Sequence, residues 1–533
     1  MHINRNTKPF IPFVAGWLLL LPIACTDEMR SLSESGEEET GTGSFVTVRL
    51  TSADPLATRG NPTGGEPGDG SETGFDYENR IDDLTLLFYQ ADEQSNAPAS
   101  TPIDKIFYFD RAKIQGDNRT EPVQVNLPAG EYDLLAIANA GDLRQALQGK
   151  TLGGIRDYLL TSAWTESDGA YSRFVMTSDG HTEDKVTLCG NPKNEPADAT
   201  VEVERVAARI DYRSRFEEYE VADKTYGRGK AVLSGAVILN RMSAGSYLLK
   251  RVAAPVNGAL TSSSPLTYLG DELPVEGGIQ RNYVVDPWSL IKTSENATRN
   301  AFNPDAGGSG NQPASSLYTA YYTSFGDEQE EWEDAIRQGT QVGDWYRLGY
   351  TMENTMSREA QSDAYRTMVV FQAQYTPAGY EEGKTFYRVR DEIFPTREEA
   401  EAAAEGTNAL IREYHNGLCY YVWRVRHSDD ENTGANGIME YAIVRNNIYR
   451  LLVSDIYGLG DEVPFPPEDP EEPDEPDNPD PDPDPDPDPD PDPDPDPDPD
   501  PDPDPDPDPD PEKIRVEVTV EEWTTLPPKD VHL

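Results

Sequence analysis

The stretch IRVEVTVEEWTTL (514–526) alternates without a break: Ile514, Val516, Val518 and Val520 fall on one side, Arg515, Glu517, Thr519 and Glu521 on the other, and Trp523 follows. That is the period-2 pattern of a β-strand with one buried face. A single strand is not stable in water, so this one must borrow a sheet. Immediately before it, Pro479 to Pro511 is strict Pro-Asp alternation over 33 residues. Each proline fixes φ and removes a hydrogen-bond donor, which excludes helix and sheet and leaves polyproline II. At ~3.1 Å per residue the repeat spans on the order of 100 Å. Carboxylates dispersed along such a rod lack the fixed geometry calcium needs, so the tract reads as a solvated spacer. A spacer this long is superfluous for a strand that returns to its own neighbourhood, which favours a partner in another chain.

A second detached strand stands at the other end, in FVTVRLTSADPLATRG (45–60). Val46, Val48 and Leu50 share one face, and the chain then runs into the loop GNPTGGEPGDGSETG. Arg59 and Gly60 sit in that loop, after a strand and before Asn61 and Pro62, where a protease can reach them; Arg49 lies inside the strand and Arg80 at the edge of the next one. The economical account is strand exchange. Cleavage after Arg59 frees Val46, Val48 and Leu50, leaving unpaired backbone and a bare groove. The strand carrying Ile514, Val516, Val518 and Val520 in a sister molecule then fills the groove by β-augmentation, with Trp523 as an anchor. Such a contact is head-to-tail and makes an open filament.

The 533 residues allow two or three domains, and the formal net charge is −53. The segment Pro466–Glu512 holds 24 of the acidic residues and no basic ones, leaving −29 for the rest. Nucleic acid is excluded as a partner, because phosphate would be repelled. The histidines, His2, His181, His415, His427 and His532, are scattered, and Cys189 and Cys419 are far apart without metal-ligand spacing. No HExxH, GxSxG, P-loop or GxGxxG occurs. No catalytic residue, metal site or cofactor is assigned, and the chain does not read as an enzyme.

At the N-terminus His2, Arg5 and Lys8 precede FIPFVAGWLLLLPIA, an apolar run too short to span a membrane comfortably, which stops at Cys25. It resembles a bacterial lipoprotein signal, with Leu21 one place further from the cysteine than usual and Pro22 in its place. The resemblance makes Cys25 the lipidated residue, with the membrane engaged only through the precursor's lipid.

Between the ends, short apolar segments recur at 81–90, 105–110, 123–139, 173–179 and 201–212, then at 230–240, 365–375, 418–427 and 439–456. LPAGEYDL reads as a hairpin, and helices are expected over 142–160 and 397–415. This rhythm gives an all-β chain with minor helices. The expected division is signal 1–24, propeptide with the removable strand 25–59, an N-terminal β-sandwich 60–225, a C-terminal β-sandwich 226–462, the acidic linker 463–512 and the donor strand 513–533.

Several segments resemble one family. IDDLTLLFY (81–89) resembles its first mature strand, YDLLAIANA (132–140) a core strand, VERVAARIDY (203–212) the strand near the domain junction, and YAIVRNNIYRLLVSDI (441–456) its C-terminal signature, with Arg445-Asn446-Asn447 before Tyr449. The acidic linker followed by VEVTVEEWTTL completes the pattern. The chain resembles a Bacteroidales fimbrillin, the stalk subunit of type V pili, most closely the major subunit of the short, or minor, fimbrium. The resemblance implies two tandem transthyretin-like β-sandwiches, lipoprotein export, removal of the N-terminal segment by an arginine-specific protease, and self-polymerisation with accessory subunits into an adhesive fimbrium that meets host or bacterial receptors. The alternatives are a non-polymerising surface lipoprotein that binds glycan or host ligand, and an accessory or anchor subunit.

Overall fold

The computed structural model describes residues 43–52, 71–90, 98–167, 169–178, 184–222, 228–253, 335–356, 361, 365–427, 440–466 and 513–524, with short pieces between 266 and 323. Cys25, Arg59, Gly60 and the Pro-Asp linker lie outside the described residues.

The chain is all-β with minor helices. Its first sheet takes β1 (Ser44–Ser52), β3 (Asp83–Gln90), β4 (Lys105–Asp110), β5 (Val123–Val125), β6 (Gly130–Ala138), β7 (Met176–Ser178), β8 (Lys185–Leu188) and β9 (Ala197–Arg205), whereas β2 (Ser71–Thr73) belongs to another sheet. The order is β4-β3-β6-β7-β9-β1-β5, with β8 beside β6. Val46, Val48 and Leu50 from one end of this sheet share a core with Leu84, Leu86 and Phe88 from the other, so the sheet curls over its own apolar face.

The second unit is a sandwich. One layer has the order β2-β21-β20-β10-β14-β13, built from β10 (Ala208–Ser214), β13 (Thr340–Val342), β14 (Trp345–Thr351), β20 (Asn447–Ile456) and β21 (Ile514–Thr524). The other is the antiparallel sheet β11-β12-β15-β19, of β11 (Tyr219–Val221), β12 (Gly229–Leu239), β15 (Met368–Pro377) and β19 (Leu418–Arg424). Ile210, Leu451, Val453 and Val516 face Val369, Phe371 and Tyr421 across the core. A small sheet of β16 (Phe386–Val389), β17 (Glu392–Phe394) and β18 (Arg412–Tyr414) is appended, with α4 (Arg397–Ala404) beside it.

Four expectations change. VEVERVAARIDY is two strands: β9 ends at Arg205 in the first sheet and β10 begins at Ala208 in the second, so the chain changes sheet at Val206-Ala207. LPAGEYDL is no hairpin, because β5 pairs with β1 while β6 pairs with β3, β7 and β8. The stretch 142–160 holds two short helices, α2 (Arg144–Leu147) and α3 (Leu152–Arg156), interrupted at Gly149, whose φ of 73° is left-handed. The helix of 397–415 stops at Ala404, Gly406 (φ 80°) following, and 412–414 is strand.

Candidate functional site

β1 is enclosed on both sides. It runs parallel to β9, from Val46 opposite Ala197 to Ser52 opposite Val203, and antiparallel to β5 over Ser44–Val46. Beyond Val46 a loop replaces β5. Thr120 accepts from the Val48 amide through its hydroxyl at 3.0 Å and donates its own amide to the Val48 carbonyl at 2.9 Å, and the Leu50 amide reaches the Asn118 carbonyl at 3.1 Å. Val46 and Val48 are wholly buried and Leu50 nearly so. At ~1.5–3 kcal/mol each, these three side chains contribute roughly 5–9 kcal/mol of apolar burial. On the opposite face Thr47 donates to Asp198 at 2.9 Å, Arg49 pairs with Asp117 at 3.2 Å, and Arg119 reaches Asp198 at 2.8 Å and Asp117 at 3.6 Å.

The C-terminal strand finds its sheet inside its own chain, where the sequence reading assigned it to a sister molecule. β21 lies antiparallel to β20, from Ile514 opposite Ile456 to Glu522 opposite Asn447, and its end pairs in parallel with β2. Ile514, Val516 and Val520 are buried in the second core, with half-buried Val518 against it. The edge of β20 presents an apolar row to them in the same chain, which meets the strand's need without a partner. Trp523 has the opposite parity, so it faces away from that core and lies under the first unit, fully buried. Its ring stacks on Tyr350 at 5.7 Å and meets the edge of Phe174 at 5.8 Å, and the Arg205 guanidinium sits 4.3 Å above it. Arg205 also donates to the Trp523 carbonyl at 2.8 Å.

Around this tryptophan lies a buried polar network that the sequence reading missed. α1 (Asp76–Asn79) carries Glu78, which accepts from the Tyr350 hydroxyl and lies 3.3 Å from Arg209. Arg209 also pairs with Asp211 at 2.8 Å and Glu72 at 2.5 Å; Glu72 meets Arg450 as well, which reaches Glu521 at 2.7 Å. Burial pulls the Arg205 guanidinium down to about 9, partly countered by Glu78. Burial likewise pushes the Asp211 carboxyl up to about 6, although Arg209 pulls the other way. The signal was present in the strand pattern: Ala208, Ile210 and Tyr212 face the second core, which leaves Arg209 and Asp211 together on the other face.

The signature Arg445-Asn446-Asn447 forms a turn, as the sequence suggests, and does more. Asn446 is left-handed (φ 59°), donates its amide to the Ala207 carbonyl at 2.8 Å, and accepts from the Arg205 amide at 3.1 Å. Arg445 is fully buried, forked onto Glu353 with both bonds at 2.8 Å. Among the described residues no cluster of His, Cys, Asp or Glu is arranged to hold a metal. Cys189 is exposed, and Cys419 is buried with its thiol pushed up to about 12 by that burial.

This arrangement holds two β-strands. No curated protein matches the chain. Solved structures align along most of it: a fimbrilin from Porphyromonas gingivalis W83, with 15% identity, 91% of this chain and 99% of that one covered, and a TM-score of 0.40. The tip fimbrial protein Mfa3 from Porphyromonas gingivalis, with a C-terminal truncation, aligns with 11% identity, coverage of 90% and 99%, and a TM-score of 0.33. Residues 412–527 match the C-terminal region of the fimbrillins, major fimbrial subunit protein type IV. That region runs from β18 to β21 and includes the strand with which the sequence analysis began.

Proposed function

We propose that this chain is a structural subunit of a cell-surface fimbria, exported as a lipoprotein through Cys25, cut by an arginine-specific protease between Arg59 and Gly60, and polymerised head-to-tail by strand exchange into an adhesive stalk. The observation that supports this most is the seat of β1: a strand with its whole apolar face buried is joined to the rest of the protein only through residues 53–70, which contain Arg59. Once cut there, nothing covalent retains it. In this reading β21 of a sister molecule takes the vacated seat with Ile514, Val516 and Val518 or Val520, and its home in its own chain is the state from which it departs.

A second reading has its own support. β21 buries Trp523 in a network shared by both units, so a subunit that accepts a strand and keeps its own C-terminus, an accessory or terminal member of the fimbria, fits the same geometry. One variant separates the two. Leu452 and Glu517 are cross-strand partners, so L452C/E517C forms a disulfide that fastens β21 to β20. After cleavage at Arg59 the stalk reading expects polymers from the reduced form and monomers from the oxidised form. Polymers from both assign the donor elsewhere; polymers from neither, with wild-type also monomeric, remove the stalk reading.

A further inference from the structure

Resting on the stalk reading, in which β21 leaves its own sheet, we infer that the Pro-Asp tract acts as a bent spring: it loosens β21 while that strand is at home, with a force set by ionic strength. The two ends of the linker are pinned close together. Lys513, the residue before β21, accepts from the Tyr457 amide through its carbonyl at 2.8 Å and pairs with Asp461 through its ammonium at 2.9 Å. At the other end Glu462 pairs with Arg412 at 2.9 Å, and Phe465 packs against Val370 and Tyr420. The chain therefore leaves the second sandwich and returns to it at one place.

A straight tract does not fit between those points. Pro479 to Pro511 spans on the order of 100 Å as polyproline II. The residues 467–478 that join it to Pro466 reach at most about 42 Å when fully extended, and Glu462 to Pro466 add at most about 18 Å. Even with the width of the Lys513–Asp461 pair, the remainder of the loop falls short of the tract. The tract therefore has to bend whenever β21 lies on β20. Two terms oppose the bend. Each proline holds φ near −65°, so curvature strains every second residue. Aspartates recur about every 6 Å, inside the ~8 Å screening length of physiological salt. Folding the tract back brings two such rows toward each other and toward a body that is itself acidic. Once β21 lets go the tract can straighten, and its length then suits a seat on a neighbour better than one beside its own root. The force acts on the less protected end of β21: Arg515 and Glu517 are exposed there, whereas β2 and the Trp523 network hold the far end.

The test is hydrogen exchange of the amides of 514–522 in the uncut chain, beside two variants in which 479–511 is replaced by Gly-Ser repeats or by Pro-Asn repeats of equal length. Gly-Ser removes stiffness and charge; Pro-Asn removes the charge alone. At low salt both variants should exchange more slowly than wild type, Gly-Ser by about tenfold and Pro-Asn by less. The gap between wild type and Pro-Asn should close as salt rises. Salt also weakens Lys513–Asp461, Arg215–Glu517 and Arg450–Glu521, but all three chains share those pairs, so the comparison cancels them. Amides of β15, inside the opposite sheet, report that the sandwich is intact in each chain. Equal exchange in the three chains, slower exchange in wild type, or a wild-type to Pro-Asn gap that salt leaves unchanged overturns the inference. If exchange is equal and the cleaved chain still polymerises, strand exchange stands without a spring. If the expected differences are found and the cleaved chain stays monomeric, the spring stands and the stalk reading falls.

Discussion

Trp523 and Tyr350 stack with their rings 5.7 Å apart and only 14° from parallel, one from the last described strand and one from β14. Neither residue belongs to the first unit, yet Phe174 and Arg205 of that unit close over the pair. The C-terminal strand thus seals the junction between the two halves.

Trp523→Ala removes the largest buried side chain of that seal and should cost about 3–5 kcal/mol, read as a shift in the urea midpoint of the whole protein. Trp523→Phe, which keeps the stacking, should lose markedly less. A midpoint unchanged by the alanine variant would show that the junction does not depend on β21.

Gly74 is fixed by close approach. A Cβ there would lie 2.5 Å from the Trp523 indole nitrogen and 2.8 Å from Arg205, both held in place. Gly74→Ala should therefore destabilise by about 1–3 kcal/mol, while the same change at Gly116, which meets open space, should not. Thermal melting of the two variants compares them directly.

Arg445 and Glu353 are both fully buried. Arg445→Met strands the carboxylate and should cost about 3–5 kcal/mol; adding Glu353→Leu should recover much of the loss, since it is the unpaired charge that is expensive. A double-mutant cycle in denaturant measures the recovery.

Asp211 gives a pH dependence with a definite sign. Its folded carboxyl is raised to about 6 by burial, against about 4 in the unfolded chain. The folded state therefore holds the proton longer. The stability this gives is fully present below pH 4 and is lost as pH rises through 6. Denaturation midpoints between pH 4 and 7 should show this falling component in wild type and lack it in Asp211→Asn.

Much of this was written in the residue order. Alternation in Val46-Thr47-Val48-Arg49-Leu50 and in Ile514–Glu521 named two strands and their buried faces, because period 2 survives whatever the partner is. The partner did not show. An apolar face states that it must be covered without stating by which sheet, so the pairing of β21 with β20 of its own chain could not be read from the residues. The change of sheet was hidden for a related reason: Val206-Ala207 joins β9 to β10 without a loop, and nothing in composition marks it. Arg209 and Asp211 stayed hidden because charges on a strand's far face read as solvated until a second unit is laid over them, and Glu78 because its helix is only one turn long.

The direct passage from Arg205 to Ala208 has a mechanical meaning. A tensile load entering the first sheet through β9 reaches β10 after two residues of chain, with no loop to uncoil. Asn446 grips both ends of that passage, taking the Arg205 amide and giving its own to Ala207. Pulled end to end, the subunit should behave as a stiff link, yielding where ladders shear instead of stretching at its waist.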